Sequence, residues 1–189
     1  KEITRKIGLK EVINYSFVSK KAIEIMGIKE QTIDILNPIN EDFITMRPTL
    51  QYSLLSNIRD NFNRNQDNLR FFEVSKVFLP DEDLSKEEYR IGIALSGKKD
   101  RTLWDPKPTA YNFYSIKGYV ELMFEELGVT KYNLLKTTDL NFHPERAVDV
   151  FIGNEKIGVF GEIHPDMAEK MDIKRERALL GEFNLKIIK

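Results

Sequence analysis

The two histidines are the first candidates for chemistry, because an imidazole can move protons or bind a metal near neutral pH. His143 and His164 are each followed by a proline, which favours extended backbone. Glu162 and Asp166 lie near His164, but a zinc site needs several ligands at suitable spacing, and no tight cluster forms here. We therefore expect no catalytic, cofactor-binding or metal-binding residue in the chain. His164 is expected to end a strand, with Pro165 opening the next helix.

Arginine and carboxylate side chains could bind phosphate or Mg²⁺. Arg47 precedes a proline at the start of a helical pattern, and we expect it to form a salt bridge with a carboxylate such as Glu41 or Asp42, with RNA contact as the alternative. The carboxylate runs at 81–83 and 87–88 could hold Mg²⁺. Their place in a polar turn between two strand patterns favours a surface hairpin connection instead.

A basic run with a nearby aromatic residue could hold single-stranded nucleic acid. Lys98, Lys99 and Arg101 lie close to Trp104 in a polar loop, but Asp100 and Asp105 dilute their charge. The formal net charge of the whole chain is −1, whereas a domain that binds nucleic acid alone is usually strongly basic. We expect a solvated loop, and any RNA contact to be local.

Composition limits the class of protein. The 189 residues are 41% hydrophobic, which is enough for a sizeable core. The chain has no cysteine, which excludes disulfides and thiolate metal sites. It has no apolar run of about 18 residues and no basic-then-apolar leader, so we expect a soluble cytoplasmic protein.

Hydrophobic periodicity predicts the elements that would position these residues. Apolar residues recur every three or four positions from 50 to 62 and from 116 to 127, which predicts two amphipathic helices. Alternation and β-branched or aromatic residues predict strands at 13–17, 33–35, 69–79, 89–95, 148–152, 157–163 and 179–187. Most links have hairpin length. We therefore predict an α+β fold, an antiparallel β-sheet flanked by helices.

Short stretches spread in order over nearly the whole chain resemble the beta-subunit family of phenylalanine–tRNA ligases. They are 8–17 (GLKEVINYSF), 37–38 (NP), 46–50 (MRPTL), 61–64 (NFNR), 71–78 (FFEVSKVF), 113–118 (FYSIKG), 143–147 (HPERA) and 158–165 (GVFGEIHP). The resemblance implies a class II aminoacyl-tRNA synthetase-like catalytic core fold of the B6-B7 type. The chain begins at Lys1 and opens into a helical pattern, so we expect residues 1–189 to be a single catalytic-like core domain, excised from a longer beta subunit.

The resemblance also implies that this copy of the fold is degenerate. Active class II enzymes end one strand with an arginine that clamps the ATP α-phosphate, and Leu79 stands at that position. Leucine has no charge and no donor, so it cannot replace the clamp. A second arginine follows a glycine-rich strand in the active enzymes. Here 158–161 supplies a similar strand, but Lys170 is the nearest basic residue along the helix that follows.

The family therefore implies a non-catalytic structural core that assembles with the catalytic alpha subunit, in an alpha2beta2 heterotetramer that aminoacylates tRNA(Phe). ATP and Mg²⁺ would serve the whole enzyme, with no cofactor in this domain. The first helix and strand, from Glu2 to Phe17, are expected to build the subunit interface, with Ile3, Ile7, Val12 and Tyr15 in an apolar patch. An isolated chain could cover that patch by self-association.

Two other functions remain open at this point. An active class II adenylate-forming ligase domain would need a replacement for the phosphate clamp, against which Leu79 argues. A tRNA-binding module would need a basic surface, against which the net charge of −1 argues.

Overall fold

The computed structural model of the chain describes residues 1–29, 32–81, 85–100, 103 and 107–186. In chain order the described residues form α1 (Glu2–Lys6), β1 (Lys10–Glu11), β2 (Phe17–Val18), α2 (Lys20–Ile25), β3 (Thr45–Met46), α3 (Gln51–Asn63), β4 (Asn68–Leu79), β5 (Lys86–Gly97), α4 (Phe113–Glu126), β6 (Asn133–Lys136), β7 (Phe142–Ile152), β8 (Glu155–Ile163), α5 (Pro165–Lys170) and β9 (Ala178–Asn184). Among these residues, no helix is long and apolar enough to span a membrane.

Within the described residues, one seven-stranded sheet has the order β1-β4-β5-β9-β8-β7-β6, and β2 pairs with β3 in a separate two-stranded sheet. Every pairing in the large sheet is antiparallel except that of β1 with β4. The hairpin of β4 and β5 is continuous from Asn68 opposite Gly97 to Leu79 opposite Lys86. The last strand, β9, lies in the middle of the sheet between the two hairpins, so it joins them.

Helices cover both faces of the sheet. The apolar positions of α3 pack on one face together with residues from α5 and the end of α2. The apolar positions of α4 pack on the other face, where Ile7 at the end of α1 also lies. Alternation along β4 divides neighbouring residues between the faces: Phe71 belongs to the α3 side and Phe72 to the α4 side. The predicted antiparallel sheet flanked by helices is confirmed.

Two predicted strands are wrong. Of the alternating run at 13–17, only Phe17 is in a strand, and Asp34 in the run at 33–35 forms a single bridge with Thr45. In the run at 13–17, the side chain of Asn14 donates a hydrogen bond to Glu73, whereas a strand would have left this polar side chain on the solvent face. Alternation alone does not report such a long-range contact. The short strands β1, β3 and β6 were not predicted, because two to four residues carry little periodicity.

A buried ion pair joins the start of α3 to the sheet. Arg47 is 0% exposed and Glu73 on β4 is 2% exposed, and Arg47 Nη1 lies 2.8 Å from Glu73 Oε1. Arg47 Nε also donates to the carbonyl of Lys76 at 3.2 Å. The expected salt bridge therefore exists with a different partner from Glu41 or Asp42. The partner is 26 positions away in sequence, because the backbone of Arg47 lies beside the end of β4, where Phe78 N donates to its carbonyl at 3.0 Å.

We expect Arg47→Met to destabilise the protein by about 3–5 kcal/mol, because it leaves the Glu73 carboxylate buried without a counterion. The double variant Arg47→Met/Glu73→Leu removes both charges, and we expect it to be more stable than Arg47→Met alone. Urea unfolding of the wild type and of the two variants measures both differences. A double variant that is as unstable as the single one, or less stable, would contradict the assignment of the loss to an unpaired charge.

Candidate functional site

A cavity of about 430 Å³ opens on the sheet beside the start of α3. It is the described cavity that contains Leu79, the position at which the family resemblance places the phosphate-binding arginine of active enzymes. Its other lining residues come from the start of α3, from the loop between β6 and β7, and from the central strands β5, β8 and β9. They are Gln51, Glu88, Arg90, Asp139, Glu155, Lys156, Ile157, Gly158, Val159, Glu182, Phe183 and Asn184. We refer to this cavity as the sheet pocket.

The carboxylate of Glu182 on β9 is buried and holds the start of α3. It accepts hydrogen bonds from the Thr49 hydroxyl and from the backbone N–H of Leu50, the latter at 3.3 Å. Backbone N–H groups at a helix N-terminus have no partner inside the helix and carry partial positive charge, so a carboxylate there is stabilising. Glu182 therefore has a structural task, and the adjacent glycine and phenylalanine give little sign of it in the sequence.

Arg90 on β5 is the arginine that lines the sheet pocket together with Leu79, but two carboxylates already bind it. Its Nη1 lies 3.1 Å from Glu182 Oε1 and its Nη2 lies 3.1 Å from Glu88 Oε2. Burial disfavours the charged form of Arg90, but the attraction of Glu182 and Glu88 outweighs this and raises its pKa. The guanidinium is thus a permanent charge whose two Nη groups are paired with carboxylates, while its buried Nε has no hydrogen-bond partner among the described residues.

Acidic groups are also in excess among the remaining charged residues that line the sheet pocket, which are Asp139, Glu155 and Lys156. Lys156 pairs with Asp149 at 2.8 Å, and Asp149 accepts the hydroxyl of Thr137 at 2.8 Å. Desolvation raises the pKa of Asp139, and the nearby charges of Asp149 and Glu182 act in the same direction. Among the described lining residues, carboxylates outnumber basic side chains by four to two. Such a pocket repels a polyphosphate instead of concentrating it.

In the second region named from the family resemblance, two arginines face the carboxylate of Glu162, and one of them, Arg177, has its Nε 3.7 Å from Glu162 Oε1. Arg146 on β7 donates from Nε at 2.6 Å and from Nη2 at 2.9 Å to the buried carboxylate of Glu162 on β8. This fork-to-fork pairing uses the geometry with which an arginine would bind phosphate. Lys170 lies at the end of α5 and is exposed. The strand at 158–161 is present within β8.

The four predicted interface residues lie at the N-terminal edge of the fold and differ in exposure. Ile3, Ile7 and Val12 are half-buried; Ile7 packs against the core on the α4 side and Val12 against the core on the α3 side. Tyr15 is 71% exposed, and its ring contacts Phe43 at a centroid distance of 5.0 Å. Their contact with a partner stays a prediction.

Ile13 was not named among these residues, although it is 87% exposed. Its position next to Asn14, in a segment that is not a strand, places it outward together with Tyr15. Only the alternation of the sequence could have suggested it, and alternation gave the wrong element here. The exposed apolar surface at this edge therefore includes Ile13, Tyr15 and the neighbouring ring of Phe43.

The histidines lie where the sequence predicts. His164 directly follows β8, and its Nδ1 accepts the backbone N–H of Asp166 at 3.2 Å, which caps α5. His143 Nδ1 accepts the backbone N–H of Glu145 at 3.1 Å. Both imidazoles thus bind local backbone. Within the described residues no three His, Asp or Glu side chains are grouped as metal ligands.

The basic loop can be followed only in part, because Arg101, Trp104 and Asp105 lie outside the described residues. Lys98 Nζ lies 3.8 Å from Glu176, and Asp100 pairs with Arg70 at 3.2 Å.

The two carboxylate runs at 81–83 and 87–88 lie in different surroundings. Residues 82 and 83 lie outside the described residues, whereas Glu88 is a buried member of the sheet pocket and not a surface hairpin residue.

We expect Asp139→Asn to raise stability at neutral pH by up to about 1 kcal/mol, a small effect because solvent screens this half-buried group. The folded-state pKa of Asp139 is raised, so ionisation disfavours folding and its cost appears as the pH rises above the ordinary value of 3.8. The asparagine keeps the oxygen that accepts the Asn141 N–H. Urea unfolding at several pH values should show a benefit that disappears in acid. A benefit that is the same at all pH values would contradict this cause.

The fold is shared with known aminoacyl-tRNA synthetases. The pyrrolysyl-tRNA synthetase of Desulfitobacterium hafniense superposes with a TM-score of 0.73 over 99% of this chain and 64% of the synthetase chain, at 15% sequence identity. A second structure of that synthetase superposes with the same TM-score at 16% identity. Similarity at this level of identity establishes the fold, and it confirms the expected class II aminoacyl-tRNA synthetase-like architecture.

Sequence comparison identifies the family. Residues 1–185 match the family described as "Phenylalanyl tRNA synthetase beta chain CLM domain". The chain is 47% identical over 187 residues to the phenylalanine–tRNA ligase beta subunit of Fusobacterium nucleatum and 36% identical over 189 residues to that of Syntrophus aciditrophicus. These alignments cover 97% and 96% of this chain but 23% of each relative, so the chain spans about a quarter of their length. The chain therefore belongs to the phenylalanyl-tRNA synthetase beta chain CLM domain family.

Proposed function

We propose that this domain is the non-catalytic structural core of a phenylalanine–tRNA ligase beta subunit. It is a B6-B7-type, degenerate copy of the class II catalytic fold, and it supports assembly with the catalytic alpha subunit in an alpha2beta2 enzyme that aminoacylates tRNA(Phe) in the cytoplasm. The sheet pocket supports the proposal: Arg90, the arginine that lines it together with Leu79, is bound by Glu88 and Glu182. ATP, Mg²⁺ and tRNA belong to the whole enzyme, and the domain alone has no ligase activity.

The physical reason is electrostatic. Adenylate formation needs hydrogen-bond donors that are free to stabilise the negative charge that develops on the α-phosphate. The donors of a guanidinium that are bound to carboxylates are not free to do so. Placing a triphosphate in the sheet pocket would also bring its negative charge against a lining in which carboxylates are in excess. Both effects oppose nucleotide binding, whereas neither affects the use of the sheet as a scaffold.

We expect calorimetry of the full-length beta chain to give no saturable heat with millimolar ATP, with or without phenylalanine and Mg²⁺. The alpha–beta complex is the positive control, because it should bind ATP through the alpha subunit. Saturable ATP binding by the beta chain alone would support the alternative of an active adenylate-forming domain. Weakening of that binding by Arg90→Met would place it in the sheet pocket.

The exposed apolar edge supports the second part of the proposal, assembly with the alpha subunit. Tyr15 and Ile13 are large apolar side chains that are exposed next to each other, and half-buried Ile3, Ile7 and Val12 lie in the same N-terminal segment. Large exposed apolar patches on soluble proteins mark interaction sites. Aromatic side chains that become fully desolvated contribute most to binding.

We expect Tyr15→Arg in the full-length beta chain to weaken association with the alpha subunit by about tenfold or more, because the new charge would be desolvated at an apolar contact. Surface plasmon resonance on immobilised alpha subunit measures the change in Kd. Leu140→Arg is the matched control, since Leu140 is 90% exposed on the loop before β7 and the cavity that it lines includes no residue from 1 to 15. Equal losses in the two variants would contradict an interface at Tyr15.

A further inference from the structure

The segment 13–15 has little backbone support of its own. On one side Val12 N donates to Phe72 O on β4 at 2.9 Å, and on the other Ser16 O accepts from Arg47 N at 2.9 Å. Between these two bonds, among the described residues, the backbone groups of 13–15 make no hydrogen bond to other backbone groups. Something other than a strand ladder must therefore hold this segment in place.

The side chain of Asn14 supplies that hold. Its Nδ2 donates to Glu73 Oε2 on β4 at 2.8 Å, and its Oδ1 accepts from Asn57 Nδ2 on α3 at 3.0 Å. Both ends of the amide are thus bound, one by the sheet and one by the helix. Glu73 is itself fixed by Arg47, so the chain Asn57–Asn14–Glu73–Arg47 is a continuous polar relay. We call it the Asn14 relay.

The residues on either side of Asn14 point the other way. Ile13 is 87% exposed and Tyr15 is 71% exposed, although both are large and apolar in character. The ring of Tyr15 packs edge-on against Phe43, and Phe43 in turn lies 6.4 Å from the ring of Phe17. A short, irregular segment thereby presents two apolar side chains outward while a polar side chain between them is bound inward.

We propose that Asn14 is a positioning residue, which preorganises Ile13 and Tyr15 as a fixed apolar contact for the alpha subunit. This inference rests on the proposed function, in which the N-terminal edge meets that subunit. A contact that is already ordered before binding loses less conformational freedom when the complex forms. Asn14 itself does not touch the partner: it acts through its two neighbours.

The test compares wild type, Asn14→Ala and Ser96→Ala in the full-length beta chain. Ser96 is buried, and its hydroxyl donates to Arg177 O at 2.7 Å, so the control also loses a buried hydrogen bond but one in β5, outside the Asn14 relay. Hydrogen exchange followed by NMR or mass spectrometry reports on the Val12 and Arg47 amides, whose bonds bracket the segment. Amides within β4 and β5 report on global stability.

We expect Asn14→Ala to speed exchange of the Val12 and Arg47 amides by about tenfold relative to β4 and β5, and to weaken association with the alpha subunit by a similar factor. Ser96→Ala should change neither the relative exchange rate of the Val12 and Arg47 amides nor the Kd for the alpha subunit. Since Asn14 acts through its neighbours, adding Asn14→Ala to Tyr15→Ala should weaken binding less than the two single losses together. A purely structural role would give additive losses.

The proposal is overturned if Asn14→Ala leaves the relative exchange of Val12 and Arg47 unchanged, or raises exchange equally throughout β4 and β5. It is also overturned if the local exchange rises but alpha-subunit binding is unaffected. If wild-type beta chain does not bind the alpha subunit, the proposed function fails, and the exchange comparison still decides whether Asn14 fixes the segment. Asn57→Ala, which removes only one of the two hydrogen bonds, is used if Asn14→Ala does not fold.

Discussion

The buried pair of Arg47 and Glu73 is the interaction on which the architecture of this domain depends. It joins the connection before α3 to β4, and through Asn14 it reaches the N-terminal segment, so three parts of the chain that are distant in sequence meet at one carboxylate. Burying two charges has a desolvation cost that an apolar pair would avoid. The gain is directional, because Glu73 also accepts a hydrogen bond from Asn14 and Arg47 Nε donates to the Lys76 carbonyl, and these contacts fit in one arrangement.

A second buried carboxylate, that of Glu182, also fixes the position of α3. Glu182 binds the backbone N–H of Leu50 at the start of α3 and the guanidinium of Arg90, while Asn57 in the middle of α3 belongs to the Asn14 relay. One helix is thus fixed at its start to β5 and β9 and at its centre to β4. The apolar face of α3 supplies the bulk of the burial, and these polar contacts set its position along and across the sheet.

The sequence predicts what local periodicity controls. The expected helices α3 and α4 formed, and so did the strands of the two long hairpins, although β7 begins at Phe142, six residues before the run at 148–152 that predicted it. The pattern failed at 13–17, where one asparagine bonded to two distant residues outweighs alternation. The sequence alone also could not predict the ion-pair partner of Arg47 or the structural role of Glu182. Their hydrogen bonds and ion pairs join residues that only the assembled sheet brings together, and no local rule names the partner.

The pairing of arginines with carboxylates gives a physical reason for the proposed scaffold role of this domain. Catalysis on a phosphate needs cations that are held in place but left without a protein counterion. Here Arg90 is bound by Glu88 and Glu182, and Arg146 is bound by Glu162. Each pairing occupies N–H groups of a guanidinium that could otherwise bind a phosphate. The N–H groups that these carboxylates bind are therefore not available to a phosphate, so one arginine cannot serve both purposes with the same donors.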